Sequence, residues 1–177
     1  DDRAIMFAYM AFIAQFKGQK ADWTPLVQGV QGNGKTFLSH CLEYCVGQPY
    51  TYWPKADKLG NDFNAHIYGK LLLCVEDLYV SEAKGAVWET LKPMITREAL
   101  EITPKGVDSK MKEVCFNFIL NSNHKRAIRL TRNERRIAAF FTPQQYESDL
   151  RRWQMEEDSG YFIRLYDWAK KYNGYSH

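Results

Sequence analysis

One eight-residue segment constrains this chain more than any other. It runs from Gly29 to Thr36 and has the sequence G-V-Q-G-N-G-K-T, which fits the pattern G-x-x-x-x-G-K-[ST] at every position. An apolar stretch at residues 23–28 precedes the segment, and a helix is predicted from Lys35 to Cys45. Between a strand and a helix, such a segment forms a loop whose backbone N–H groups surround phosphate oxygens. We therefore predict an α/β fold that contains this phosphate loop.

Hydrophobic patterning extends the α/β prediction along the chain. Helices are predicted at residues 3–16, 35–45, 62–67, 83–95 and 161–172. Strands are predicted at residues 23–28, 71–75, 116–120 and 137–141, and two further runs, 100–103 and 111–114, are predicted as the arms of a β-hairpin. Strands that alternate with helices are typical of a mainly parallel sheet flanked by helices. We expect a single domain with an N-terminal helix (1–22), a core (23–143) and a C-terminal helical segment (144–177).

Composition excludes several classes of protein. A hydrophobic content of 45% and a charged content of 25% are those of a folded domain. No apolar run approaches the roughly 18 to 20 residues of a membrane span. The four cysteines form no paired C-x2-C clusters, which disfavours a zinc site and is typical of the reducing cytoplasm, where we expect the protein. Because the chain opens at Asp1 without a methionine, we expect it to be part of a longer protein.

Two acidic residues follow the buried strand predicted at 71–75. Adjacent carboxylates at the carboxyl end of a strand can hold Mg²⁺ and orient an attacking water molecule. We expect Lys35 to contact the β- and γ-phosphates, Thr36 and Glu76 to hold Mg²⁺, and Asp77 to act on the water. The sequence leaves open which of the two acids takes each role, so both are candidate metal ligands.

Polar and basic residues complete the candidate site. Asn123 follows the strand predicted at 116–120, and its amide would lie beside the acid pair if the two strands are neighbours; the alternative is an ordinary turn residue. Arg135 and Arg136 precede the last strand, a place from which an arginine can reach a nucleotide held by an adjoining subunit; the alternative is a solvated or salt-bridged pair. Residues 105–136 carry nine basic and three acidic side chains, which fits a surface that faces phosphates or a solvated face.

In their order along the chain, these motifs resemble those of the superfamily 3 helicases, above all the primase-helicase proteins of phages, plasmids and poxvirus-like viruses. The resemblance spans about residues 23–141. It includes the phosphate loop, the V-E-D pair, the K-P-x-I-T…I-T-P-K-G region, S-N-H-K-x-A-I and N-E-R-R-I. The resemblance implies an AAA+-related P-loop NTPase core that forms a ring, usually a hexamer, with ATP between subunits and single-stranded DNA in the channel. It also implies a fused or associated primase or polymerase.

The resemblance assigns roles to individual residues. Those matching the Walker A loop and its flank, where ATP binds, are Gly29, Val30, Gln31, Gly32, Asn33, Gly34, Lys35, Thr36 and Phe37. Glu76 and Asp77 match the Walker B acids, and Asn123 matches the sensor-1 asparagine. Arg136 best matches the arginine finger, with Arg135 a close second. Lys105 matches the basic residue that a hairpin carries into the DNA channel, with Lys92 a second basic residue; an exposed turn lysine is the alternative for Lys105.

The sequence therefore predicts an ATP-dependent, Mg²⁺-dependent DNA helicase motor that serves replication of a phage or mobile element. Two alternatives remain open. One is a P-loop ATPase that remodels or loads replication proteins without unwinding DNA, and the other is a non-catalytic DNA-binding ring module. A small-molecule kinase is disfavoured because the hairpin and the N-E-R-R-I segment would then have no role.

Overall fold

The computed structural model describes residues 1–59, 64–79, 85–125, 127, 133–153 and 160–171. In these residues the α-helices are α1 (Asp2–Gln15), α2 (Lys35–Val46), α3 (Gly85–Thr96), α4 (Glu147–Arg152) and α5 (Tyr161–Lys171). The strands are β1 (Thr24–Gln28), β2 (Thr51–Tyr52), β3 (Leu72–Val75), β4 (Ala99–Ile102), β5 (Lys110–Glu113), β6 (Asn117–Ser122) and β7 (Ile137–Phe141). Short 3-10 helices lie at Gln48–Tyr50, Ala56–Lys58 and Ala65–Ile67. None of the described helices combines the length and the apolar character that a membrane crossing requires.

A five-stranded parallel sheet forms the centre of the fold. Its strand order is β2-β3-β6-β1-β7, so β6 separates β1, which leads into the phosphate loop, from β3, which leads into the acid pair. The register aligns Leu26 with Leu120 and Val75 with Leu120. Because parallel strands place their carboxyl ends at the same edge, the segments that follow β1, β3 and β6 meet there. The predicted α/β fold with a mainly parallel sheet flanked by helices is confirmed.

Both faces of the sheet are buried, which explains the continuous apolar character of its central strands. On one face, Tyr9 and Ile13 of α1 and Leu42 of α2 pack against Cys74 and Ile119. On the other face, residues of α3 pack against alternate residues of the same strands; this cluster includes Leu73, Val75, Leu91, Ile95, Phe118 and Leu120. The sheet is therefore packed between helical layers on both faces. The segments that follow its strands at the carboxyl end are not part of these layers.

The two predicted hairpin arms pair outside the main sheet. β4 and β5 form an antiparallel pair in which Ala99 lies opposite Glu113 and Ile102 lies opposite Lys110. The amide of Asn64 anchors the base of this hairpin: its Nδ2 donates to the Glu101 carbonyl oxygen at 2.8 Å, and its Oδ1 accepts from the Thr103 N–H at 2.8 Å. The connection at residues 103–109 is largely exposed and projects from an anchored base.

Several element boundaries differ from the predicted ones. β6 continues to Ser122, two residues beyond the predicted end, because its backbone stays paired with β1 up to the Gln28–Ser122 position. The two-residue strand β2 and the six-residue helix α4 were not predicted, since elements this short have little periodicity. Parts of the predicted helices 62–67, 83–95 and 161–172 lie outside the described residues, as do Arg126, Arg129 and Arg132 of the basic segment.

Candidate active site

The phosphate loop joins the end of β1 to the start of α2. Gly32 and Gly34 have φ angles of 84° and 89°, a left-handed conformation that glycine adopts without steric cost. Asn33 Nδ2 donates to Thr142 Oγ1 at 2.7 Å, which ties the loop to the segment after β7. Gly34 is the N-cap residue of α2, and no side chain caps that helix end. Because the first N–H groups of an α-helix have no partner in the preceding turn of that helix, the start of α2 is suited to bind an anion.

Lys35 is folded back onto the phosphate loop. Its side chain is buried, with 7% of the residue surface exposed. Its ammonium donates to the carbonyl oxygens of Gly29 at 2.9 Å and Val30 at 2.8 Å, and to Asn33 Oδ1 at 2.9 Å. Burial lowers the pKa of Lys35, and the nearby negative charges of Glu76 and Asp77 oppose that shift. All three protons of the ammonium are thus donated to oxygen atoms of the phosphate loop.

Both carboxylate oxygens of Glu76 are held by neighbours on other elements. Thr36 Oγ1 donates to Glu76 Oε2 at 2.9 Å, and Asn121 Nδ2 donates to Glu76 Oε1 at 2.7 Å. Asn121 Nδ2 also donates to Ser39 Oγ at 2.8 Å, so β6 connects the acid to α2. A threonine hydroxyl beside a carboxylate is an all-oxygen donor set, which is the kind that Mg²⁺ prefers. The residues present therefore fit a magnesium site.

Asp77, at the carboxyl end of the sheet, has an unusual backbone conformation. Its φ of 50° lies in the left-handed region, which non-glycine residues seldom adopt and which aspartate tolerates better than most. Such conformations cost free energy and cluster at functional sites. Asn123 Nδ2 donates to Asp77 Oδ1, so the asparagine that follows β6 lies directly beside the second acid. The neighbouring strands on which the Asn123 prediction depended are β3 and β6.

These groups line a single cavity of about 280 Å³. Its walls are residues 31–36 of the phosphate loop, the acids Glu76 and Asp77, residues 121–123, and Phe162 and Tyr166 from α5. Sequence reasoning missed four of these residues as site members, namely Asn121, Ser122, Phe162 and Tyr166. A polar residue in a buried strand was an available signal for Asn121, whereas no local signal places α5 over the phosphate loop.

The two predicted finger arginines lie at the amino end of the parallel strands, whereas the cavity lies at their carboxyl end. Arg136 directly precedes β7, whose first residue pairs with Thr24 and whose last residue pairs with Gln28 next to the phosphate loop. Five residues of strand correspond to roughly 16 Å, so Arg136 does not reach the cavity of its own chain. Its Nη1 lies 3.3 Å from Glu134 Oε1, which is the salt-bridged alternative, while Arg135 is exposed.

The two predicted DNA-contacting lysines occupy different elements. Lys105 is exposed in the hairpin connection, next to Gly106, which has a φ of 75°. Lys92 lies on α3, where its ammonium forms an ion pair with Glu89 and lies 5.4 Å from the centre of the Trp88 ring. The hairpin therefore presents Lys105 to solvent, whereas the Lys92 charge is already shared with a neighbour.

Comparisons with known proteins identify the relatives of this chain. It is 29% identical over 132 residues to the DNA primase-polymerase of Nitratiruptor phage NrS-1, a stretch that is 73% of this chain and 18% of that protein. Among solved structures, it is similar to the apo structure of the NrS-1 C-terminal region (305–718), with a TM-score of 0.71 and 25% identity. That likeness covers 83% of this chain and 36% of the solved one.

A second solved form of the NrS-1 C-terminal region, the A form, matches with a TM-score of 0.66 and 26% identity, over 80% of this chain and 34% of that one. The chain thus spans a small part of the length of the proteins it resembles. Residues 27–136 match a family described as a family of unknown function, DUF5906. Because this match covers more than half of its residues, the chain belongs to the DUF5906 family.

Proposed function

We propose that this chain is the ATP-hydrolysing motor of a phage DNA-replication protein and that it works as a superfamily 3-type P-loop helicase. The observation that carries the proposal is the meeting of Lys35, Thr36, Glu76, Asp77 and Asn123 around one cavity at the carboxyl edge of the sheet. The similarity to the DNA primase-polymerase of a phage supports the replication context.

Phosphate binding follows from the chemistry of the loop. The N-terminal N–H groups of α2 face the cavity and favour an anion, and Lys35 adds a positive charge at the same place. The Lys35 ammonium is hydrogen-bonded to loop carbonyls, and it would exchange one of these acceptors for a phosphate oxygen when a nucleotide binds. Thr36 and Glu76 would hold Mg²⁺, which when bound neutralises charge on the phosphates.

Hydrolysis requires a group that orients water. We assign this role to Asp77, because Glu76 is held beside the Thr36 hydroxyl, the other group proposed to hold Mg²⁺. The amide of Asn123 donates to one oxygen of Asp77, and in this proposal the other oxygen would accept a proton from water. In this assignment Glu76 is the metal-holding carboxylate and Asp77 is the water-orienting one.

Assembly follows from the position of Arg136. Since Arg136 lies at the amino end of the strands and the cavity lies at their carboxyl end, this arginine can complete a nucleotide site only on a neighbouring copy of the chain. A ring, which the family resemblance implies to be a hexamer, would place each Arg136 toward the cavity of the next subunit. The exposed Lys105 hairpin would then contact phosphates of single-stranded DNA in the channel, a contact that is independent of base sequence.

The test is the rate of ATP hydrolysis over a range of protein concentrations, with and without single-stranded DNA. We expect stimulation by DNA and a steeper than linear dependence on protein concentration, and loss of activity in Lys35→Ala but not in Lys17→Ala, an exposed lysine after α1. Unchanged hydrolysis in Lys35→Ala would remove the nucleotide site. DNA-stimulated hydrolysis without strand separation would favour the loading ATPase over the helicase.

Two further experiments test the DNA contact and the arginine finger separately. Lys105→Ala should weaken DNA binding and DNA stimulation, whereas Lys110→Ala, on the stem of the same hairpin, should have a smaller effect. Mixing Arg136→Ala with Lys35→Ala subunits should restore some activity, because each mixed interface can combine an intact loop with an intact arginine. No recovery in the mixture would contradict an arginine that acts on a neighbouring subunit.

A further inference from the structure

The C-terminal helix α5 supplies two aromatic side chains to the cavity. Phe162 and Tyr166 are four residues apart, which places them on the same face of the helix, and both line the cavity together with the phosphate loop. We call these two side chains the aromatic wall. The rest of the lining is made of loop backbone and polar or charged side chains. The cavity therefore has a polar part and a distinct aromatic part.

The aromatic wall packs directly against the start of α2. A Cβ atom on Gly34 would lie 2.6 Å from Phe162 Cε1, so this ring rests on the loop backbone. The ring of Tyr166 meets that of Phe37 edge to face, with centroids 5.4 Å apart. Phe37 follows Thr36, so Tyr166 lies where the chain leaves the phosphate-binding residues. The wall therefore borders the part of the cavity that the phosphate loop lines.

Neighbouring rings hold the wall in place. Trp153 lies at the end of α4 and contacts Phe162 with centroids 5.6 Å apart. Burial raises the pKa of Tyr166, and the negative charge of Glu76 raises it further, so the phenol stays protonated and uncharged at neutral pH. A fixed, uncharged aromatic surface beside a phosphate site has the chemistry to stack on a planar ring, and preorganisation reduces the entropy that binding costs.

We propose that the aromatic wall, Phe162 and Tyr166, binds the base of the nucleotide by stacking while the phosphate loop holds its phosphates. This inference rests on the proposed nucleotide-binding function and assigns to α5 the recognition of the nucleoside part of the ligand. Nucleoside triphosphates would therefore bind through two separable contributions, one from phosphate and one from base.

The test compares two ligands that share phosphates and differ in the base. Dissociation constants of ATP and of inorganic tripolyphosphate, both with Mg²⁺, are measured by calorimetry on the 177-residue chain and its variants. Phe162→Leu and Tyr166→Leu keep apolar volume and remove the ring, Tyr166→Phe keeps the ring, and Ile163→Ala changes a residue on the same helix that is 70% exposed. Thermal unfolding of each variant checks that it is folded.

We expect each leucine variant to raise the ATP dissociation constant by roughly 5- to 100-fold, the range that loss of one base–aromatic stacking contact produces. Tripolyphosphate binding should stay unchanged in them, and Tyr166→Phe and Ile163→Ala should bind both ligands as the parent does. Equal weakening of both ligands would overturn the proposal, because the rings would then only support the loop. Unchanged or tighter ATP binding would overturn it too, and tighter binding would identify α5 as an obstructing helix.

The proposed function and this inference fail in different ways. If the parent chain binds neither ligand, or if Lys35→Ala binds both as the parent does, the nucleotide site is wrong and the stacking proposal falls with it. If Lys35→Ala abolishes binding of both ligands while the leucine variants bind ATP normally, the nucleotide site stands and the aromatic wall alone is refuted.

Discussion

Replacement of Asn121 by alanine tests whether its hydrogen bonds to Glu76 and Ser39 serve only the stability of the fold or also the proposed magnesium site. Asn121 is fully buried, with 0% of its surface exposed, and its amide donates to Glu76 at 2.7 Å and to Ser39 at 2.8 Å. Loss of a hydrogen bond to a charged group costs roughly 1.5–3 kcal/mol, and loss of a neutral one costs about 0.5–1.5 kcal/mol. In Asn121→Ala both bonds disappear.

One contribution to the free energy of unfolding offsets the loss of these two hydrogen bonds. Among the described residues, Asn121 Oδ1 has no hydrogen-bond partner although it is buried. Removal of a buried unsatisfied acceptor returns about 1–3 kcal/mol, so the free energy of unfolding of Asn121→Ala should fall by a net of about 1–2 kcal/mol. A domain with the usual stability of roughly 5–15 kcal/mol stays folded after such a change. Any effect on hydrolysis then reports on the site.

The functional effect should appear in the dependence on magnesium. Without Asn121, Glu76 loses the hydrogen bond that orients one of its oxygens, and loss of such an outer contact to a metal ligand typically reduces metal affinity by about 10–100-fold. We expect the Mg²⁺ concentration that gives half-maximal ATP hydrolysis to rise by about tenfold or more. The assay is a titration of free Mg²⁺ at fixed ATP.

Ser39→Ala is the matched control, because it removes the other partner of the same amide and leaves the bond to Glu76 intact. It should lower stability comparably and leave the Mg²⁺ dependence unchanged. If Asn121→Ala and Ser39→Ala shift the Mg²⁺ requirement equally, or neither shifts it, Asn121 does not position the metal-holding carboxylate and the reasoning is refuted.

Three further predictions concern other parts of the structure. Asp77→Asn should keep the fold and lose most ATP hydrolysis, whereas Asp77→Ala should also lower the melting temperature, because alanine tolerates a φ of 50° less well. Burial lowers the pKa of Lys20 to about 8 from 10.5, against opposing nearby negative charges, so the unfolded chain binds more protons between those pH values. The contribution of Lys20 to the free energy of unfolding should therefore rise from pH 8 to 10.5, although the buried thiols of Cys41 and Cys74, whose pKa values burial raises, contribute in the opposite direction. In urea titrations, the free energy of unfolding of the parent minus that of Lys20→Met should increase with pH over this range. Gly34→Ala should destabilise the protein more than Gly106→Ala, by about 1 kcal/mol or more in denaturation, since both glycines have positive φ but only Gly34 faces the Phe162 ring.

The features that the sequence predicted well are those encoded by neighbouring residues. The strand at Leu72–Val75 is fully buried, so it appears as a continuous apolar run, and its end is marked by two acids. The phosphate loop is a local pattern as well, since its left-handed positions require the glycines at 32 and 34. Helix α2 ends at Val46 with Gly47 after it, as a glycine that closes a helix does.

The features that the sequence did not predict depend on contacts between distant segments. Asn121 lies beyond residue 120, where the strand was predicted to end, yet it is inside β6, and its partners Glu76 and Ser39 come from outside that strand. Phe162 follows Gly34 by more than a hundred residues, and nothing in the local pattern of α5 indicates where the helix docks. An apolar face shows that a helix packs, but tertiary structure decides which surface it covers.

The position of Arg136 shows how a local motif and a global fold combine. Arg136 was correctly predicted to precede a strand directly. The sequence does not say, however, at which end of the sheet that strand begins. Since β1 and β7 are parallel and in register from Thr24 to Gln28, Arg136 stands a full strand length from the phosphate loop. Packed strands do not slide by such a distance within a folded domain. A role for Arg136 in hydrolysis therefore requires a second chain.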